Sequence, residues 1–322
     1  MRMLTTKEIE ELSLEERKSY FHKLREYCLV SKANYQLKVG QSLIKSIYPS
    51  IRNYSIILEG EENIPHDSKV IFVVNHSNSH DIFTAYEFLS MLNRKGSVMV
   101  ATDCLNNITK NIFWISNATL LDRRCREESN NSIFHMSKKI LEGNDCVIFG
   151  EATWNLHPYL PMQNLKLGFS KIASITEVPI IPTIMEYIEI PDLCKKESDL
   201  YRYCIIRFGK TIEIKKQEGL INQTNGIQSI MSQIRSDVWK DNNIVRSSLD
   251  DIDVDQYLNH TYIKKYKAFG FQYNSATEEK FLLSLDGNAI ENEYHLSNEG
   301  IFEPGITTKK EGEQLQRSYF KK

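Results

Sequence analysis

At 322 residues, with 41% hydrophobic and 25% charged side chains, the chain has the make-up of one large globular domain, or one domain with appendages. Its 42 acids against 40 bases leave a net charge of −2, which excludes overall charge as a guide to partners. No apolar run approaches the roughly 18–20 residues needed to cross a bilayer, so any membrane contact is expected to be peripheral.

The opening residues, MRMLTTKEIEELSLEERK, are charged and lack the apolar centre of a secretory signal. Leu12, Leu14, Phe21, Leu24, Cys28 and Leu29 then recur at spacings near three and four. Tyr35, Leu37, Val39, Leu43, Ile44 and Ile47 form a second such set, ended by Pro49. Residues 1–50 are therefore expected to form an N-terminal helical hairpin. From Arg17 to Arg52 the bases are Arg17, Lys18, Lys23, Arg25, Lys32, Lys38, Lys45 and Arg52, and Glu26 is the only acid in that stretch. Such a face suits a membrane surface, a phosphorylated substrate or an acidic carrier protein, and equally a plain solvated helix. Cys28, Cys104, Cys125, Cys146, Cys194 and Cys204 are scattered without a CxxC pair and read as free thiols of a reducing cytoplasm.

From about residue 51 to 214, short apolar runs alternate with helix-like stretches. Strands are expected at 55–58, 70–74, 98–101, 146–149, 180–185 and 204–208, and helices at 82–92, 129–142 and 165–176. The middle four strands are nearly continuous in apolar character, as in sheets covered on both faces. The expected fold class is α/β, a mixed and largely parallel sheet flanked by helices. Residues 211–214 are a possible terminal strand, and Ile227, Ile230, Met231, Ile234 and Val238 share one helix face. Three segments follow: the hairpin 1–50, an α/β domain 51–245, and a small C-terminal extension 246–322 of unassigned role that opens on an acidic linker with Asp250, Asp251, Asp253 and Asp255.

Chemistry concentrates where apolar runs stop. VIFVVNHSNSHD ends a strand and at once presents His76, with Asp81 five positions on. A general base with an orienting acid fits that pattern, as do a metal pair of His76 and His80 and simple capping of the next helix. His80 is expected to point away from His76. LLDRR places Arg123 after an apolar pair, and guanidinium groups bind phosphate through a two-pronged fork. VIFGEATWN opens a buried strand into a small-residue turn carrying Glu151 and Thr153, where Gly150 and Ala152 would let a ligand approach the backbone. VPIIP, from Val178 to Pro182, reads as a pocket wall.

In this order the segments resemble the lysophosphatidic acid and glycerol-3-phosphate acyltransferase superfamily. NHSNSHD fits its His and Asp separated by four residues, LLDR its second block, and VPIIP its fourth. FGEAT keeps Phe149, Glu151 and Thr153 of the usual Phe-Pro-Glu-Gly-Thr, with Gly150 and Ala152 replacing Pro and Gly; Trp154 stands where many members carry a base. The resemblance spans about residues 55–240. It implies transfer of a fatty acyl group from acyl-CoA or an acyl carrier protein thioester to a hydroxyl of a glycerol phosphate or lysophospholipid, with no bound cofactor and no metal. His76 would be the general base and Asp81 its orienting acid. Asn75, Arg123, Glu151 and Thr153 would bind the acceptor, Val178, Pro179 and Ile180 would line the acyl region, and backbone amides near the helix start would stabilise the thioester oxygen. A lipid partner, peripheral placement on the cytoplasmic face of the membrane through the basic hairpin, and no nucleic-acid partner complete the expectation. Acylation of another hydroxyl or amine, and a catalytically silent lipid-binding relative, remain open.

Overall fold

The structure is a computed structural model, and it describes residues 2–29, 40, 42, 46–49, 52, 54–77, 80–116, 118–155, 157, 160–189, 201–214 and 219–244. The extension 246–322 and most of the second hairpin helix lie outside the described residues; within that helix, 46–49 are helical and run through Pro49.

Seven strands make one sheet in the order β1-β7-β6-β2-β5-β3-β4. They are β1 (Ser55–Glu59), β2 (Ile71–Val74), β3 (Gly96–Ala101), β4 (Thr119–Leu121), β5 (Asp145–Phe149), β6 (Ile180–Glu189) and β7 (Tyr201–Phe208). Every neighbouring pair is parallel except β6 with β7. The fold class is the expected α/β one. β4 was not expected, because three residues are too few to leave a periodic signal. Residues 211–214 form no strand: Ile212 makes an isolated bridge to Ile180.

The central strand explains the two-sided burial. All four residues of β2 are fully buried. Phe72 and Val74 pack on one face with Phe83, Phe88 and Leu89 of α3 (Asp81–Met91). Ile71 and Val73 pack on the other with α5 (Arg126–Leu141), α6 (Gly168–Thr176) and α7 (Leu220–Asp241) through Met136, Phe169 and Met231. Alternation along a pleated strand thus feeds two cores, one on each side of the sheet. A short helix, α4 (Thr109–Ile115), also joins the first core through Phe113.

The N-terminal helices α1 (Thr6–Glu10) and α2 (Leu14–Leu29) lie against this domain. The Thr6 hydroxyl donates to the carbonyls of Thr102 and Leu105, and Ile9, Phe21 and Leu24 enter the first core. Much of the presumed basic face is neutralised inside the chain. Arg17 meets Asp122 at 3.4 Å, Lys18 meets Glu127 at 2.8 Å, Arg25 meets Glu128 at 2.5 Å and Arg52 meets Glu87 at 2.5 Å. Lys23 is exposed, while Lys32, Lys38 and Lys45 lie outside the described residues. Among the described residues no helix is long and apolar enough to cross a membrane.

Candidate active site

Strand register builds the site. Val74 of β2 pairs with Phe149 of β5, so His76 and Glu151, each two residues further on, emerge side by side. Ala101 of β3 pairs with Leu121 of β4, which does the same for Asp103 and Arg123. Four parallel strands thus deliver His76, Glu151, Asp103 and Arg123 to one carboxyl edge, where ligands of such sheets bind. Asp103 was not singled out in the sequence, because nothing around it marks a strand end as sharply as NHSNSHD does.

His76 Nδ1 lies 2.7 Å from Asp81 Oδ2. A carboxylate only accepts, so this contact puts the imidazole proton on Nδ1 and leaves Nε2 with its lone pair. The same Oδ2 accepts the Ser77 amide at 2.6 Å, and Asp81 is fully buried. The ring stacks on Phe149 at 4.5 Å between centroids and meets Trp154 edge-on at 6.1 Å. These contacts fix the imidazole plane, and the Ser77 amide is spent on Asp81 rather than aimed at a substrate oxygen. Residues 78 and 79, the other amides before the helix, lie outside the described residues.

His80 turns away from His76, as expected. Its Nδ1 lies 3.0 Å from the Tyr48 hydroxyl, and its ring packs near Tyr54 and Tyr187. Tyr54 and Tyr187 both reach the Thr84 hydroxyl, so this buried network braces the first turn of α3 behind Asp81.

Asn75 is fully buried. Its side chain donates to the Met185 carbonyl at 3.0 Å and accepts the Met185 amide at 2.7 Å. That bracket to β6 holds the strand end from which His76 projects, and the amide is spent there instead of on an acceptor. Glu151 is also buried: Oε2 accepts the His76 amide and Oε1 the Gln163 amide, each at 2.7 Å. Burial pushes its carboxyl up to about 7, against the pull of Arg235 and of the two amides. Thr153 is buried beside it in the chain. Arg123 donates to the Ala152 carbonyl at 2.6 Å and pairs with Asp103. Both ends of that pair are about one-third exposed.

Val178, Pro179 and Ile180, expected to line the acyl region, lie at the opposite end of β2 from His76. Ile180 pairs with Ile71 at the start of β2, and the Ile71 amide bonds the Pro179 carbonyl. At about 3.3 Å per residue, that edge is roughly 16 Å from the level of His76. Gly150 serves packing rather than ligand approach: a Cβ there would meet Leu165 at 2.9 Å and Val73 at 3.0 Å. Ala152 has φ +57, the left-handed conformation that glycine adopts without strain, so it occupies a glycine-like position at a steric cost.

Residues 55–186 match the family model described as Acyltransferase. The chain resembles the lysophosphatidic acid and glycerol-3-phosphate acyltransferase superfamily. A 1-acyl-sn-glycerol-3-phosphate acyltransferase of Haemophilus influenzae is 30% identical over 135 residues, covering 39% of this chain. The chain spans about half of that relative's length, 53%. The crystal structure of a 1-acyl-sn-glycerophosphate acyltransferase from Thermotoga maritima superposes with a TM-score of 0.48 at 18% identity, over 68% of this chain and 88% of that one.

Proposed function

We propose that this protein is an O-acyltransferase that moves a fatty acyl group from an acyl thioester to a hydroxyl of a glycerol phosphate or lysophospholipid. The observation that carries this reading is the His76–Asp81 pair, with Nδ1 committed to the carboxylate at 2.7 Å and Nε2 without a protein partner among the described residues. A hydroxyl is a weak nucleophile at neutral pH, and a positioned base contributes about 10²–10⁴-fold. His76 Nε2 takes the proton of the acceptor hydroxyl as its oxygen attacks the thioester carbonyl. Asp81 stabilises the imidazolium. The carbon–sulfur bond then breaks, and the proton passes from Nε2 to the departing thiolate. No serine or cysteine of the protein is acylated in this scheme.

Arg123 is assigned to the acceptor phosphate, which would displace Asp103 from the guanidinium, and Thr153 is assigned to the same acceptor. Glu151 and Asn75 act through the backbone that they hold. The donor is acyl-CoA or acylated carrier protein, with no further cofactor. Peripheral contact with the cytoplasmic face of a membrane rests on Lys23 and the bases beyond the described residues. Co-sedimentation with liposomes that does not depend on anionic lipid would remove it.

A second reading, acylation of a hydroxyl or amine without a phosphate, is favoured by two observations. Arg123 already has a carboxylate partner in Asp103, and Trp154 takes the place where many family members have a base. The deciding experiment offers labelled acyl-CoA and acyl carrier protein thioesters to wild type and His76→Ala with phosphorylated and unphosphorylated acceptors. Transfer should fall by about 10²–10⁴-fold in His76→Ala. Equal transfer by both proteins would refute the base assignment. Transfer to unphosphorylated acceptors alone would establish the second reading.

A further inference from the structure

We propose that Arg235, on α7 and outside the family-matching segment, is a positioning residue for His76, acting through Pro161, Gln163 and Glu151. The inference rests on the reading of His76 as the base.

Arg235 is 5% exposed. Its Nε donates to Glu186 Oε2 at 2.7 Å and its Nη1 to the Pro161 carbonyl at 2.7 Å, and its guanidinium lies 5.1 Å from the Trp239 ring. Pro161 lies two residues before Gln163, whose amide bonds Glu151 Oε1. The other Glu151 oxygen receives the His76 amide. One guanidinium therefore braces the loop and also lies within electrostatic reach of the carboxylate that grips the catalytic strand end.

Protonation decides whether that grip holds. Glu151 accepts an amide on each of its two oxygens, which suits a carboxylate. A neutral acid has one hydroxyl oxygen that must itself donate, so one of the two amides loses a good acceptor. The charged groups bearing on Glu151 are Arg235 from α7, which favours the anion, and Asp81 from α3, which opposes it. Arg235 is in turn shared with Glu186 of β6. Among the described residues Arg235 thus serves two buried acids, and its division between Glu186 and Glu151 bears on the charge behind His76.

Two variants pull in opposite directions. Arg235→Met removes the cation and should raise the midpoint at which Glu151 titrates. Glu186→Gln leaves the cation to Glu151 and should lower it. A purely structural role for Arg235 predicts no such opposition. The midpoint is read from the 13C-carboxyl spectrum of the full-length chain, with Glu151 assigned as the signal missing from Glu151→Gln. Exchange of the His76 amide is followed by NMR in the same samples. It should quicken about tenfold in Arg235→Met, as expected for loss of one hydrogen bond to a charged acceptor. In the acyl-transfer assay the acidic limb of kcat should move up in Arg235→Met and down in Glu186→Gln, with little change in KM.

Midpoints that move the same way in both variants, or a His76 amide that exchanges at the wild-type rate in folded Arg235→Met, overturn the proposal. If Arg235→Met does not fold, Glu186→Gln decides alone, and an unchanged or raised midpoint overturns it. The spectroscopic readouts need no substrate. Absent acyl transfer with both shifts present therefore counts against the function assigned to His76, and absent shifts with transfer intact count against Arg235.

Discussion

Strand β5 has a buried carboxylate at each end, and the two are held in different ways. At its start, Asp145 receives Arg94 through two nitrogens at 2.8 and 2.9 Å, together with the Val70 amide at 2.9 Å. Arg94 also donates to the carbonyls of Pro65 and Ser68. Charge and hydrogen bonds are matched there, and the arrangement ties three loops together. Two residues past the other end, Glu151 is gripped by two backbone amides, and its guanidinium is shared with Glu186. A matched pair has one stable state and reads as structure. A carboxylate pushed up to about 7 exchanges its proton near neutrality, and it sits against the residue proposed as the base.

The contrast can be broken from either end. The largest effect is expected at the matched end. Arg94→Met leaves Asp145 buried without its counter-charge and should cost about 3–5 kcal/mol in chemical denaturation. Activity per folded molecule should not change, and a loss of activity without a loss of stability would erase the distinction. Glu151→Gln should act mainly through pH. The folded protein holds a proton on Glu151 that the unfolded chain, with a value near 4.5, gives up. Wild-type stability should therefore fall as pH rises from about 4.5 to about 7 and level off above, a slope of at most roughly 1.4 kcal/mol per unit. Denaturation of Glu151→Gln across that window should lack this slope; identical slopes would remove Glu151 as its source. The smallest effect is expected at Ala152, where Gly should stabilise by about 1 kcal/mol by relieving the left-handed backbone, provided that the Arg123 contact to its carbonyl persists. A loss of stability would mean that the methyl group packs more than it strains.

Much of the sheet was legible because buried parallel strands are short continuous apolar runs: β2, β5 and the start of β6 stand out in VIFVV, CVIF and VPIIP. β4 and α4 escaped because three and seven residues carry too little periodicity. His76 and Asp81 were legible because they lie five positions apart, across one strand-to-helix turn. Gln163 and Arg235 had no such signal. Each is an ordinary polar residue until the fold brings its backbone amide or guanidinium to Glu151.

The order of residues by itself determined the α/β class, through apolar runs alternating with helical stretches, and the strand end that bears His76 with Asp81 five positions on; the fold decided that Asp81 is the partner of Nδ1. Tertiary structure alone decided which strands are neighbours, and hence that Glu151 stands beside His76 and Asp103 beside Arg123. It also sent Val178–Ile180 to the far edge of the sheet, because parallel pairing with β2 puts the beginnings of both strands together. Register between distant segments, and the division of one buried cation among several acids, are properties of the packed sheet that no single stretch of sequence contains.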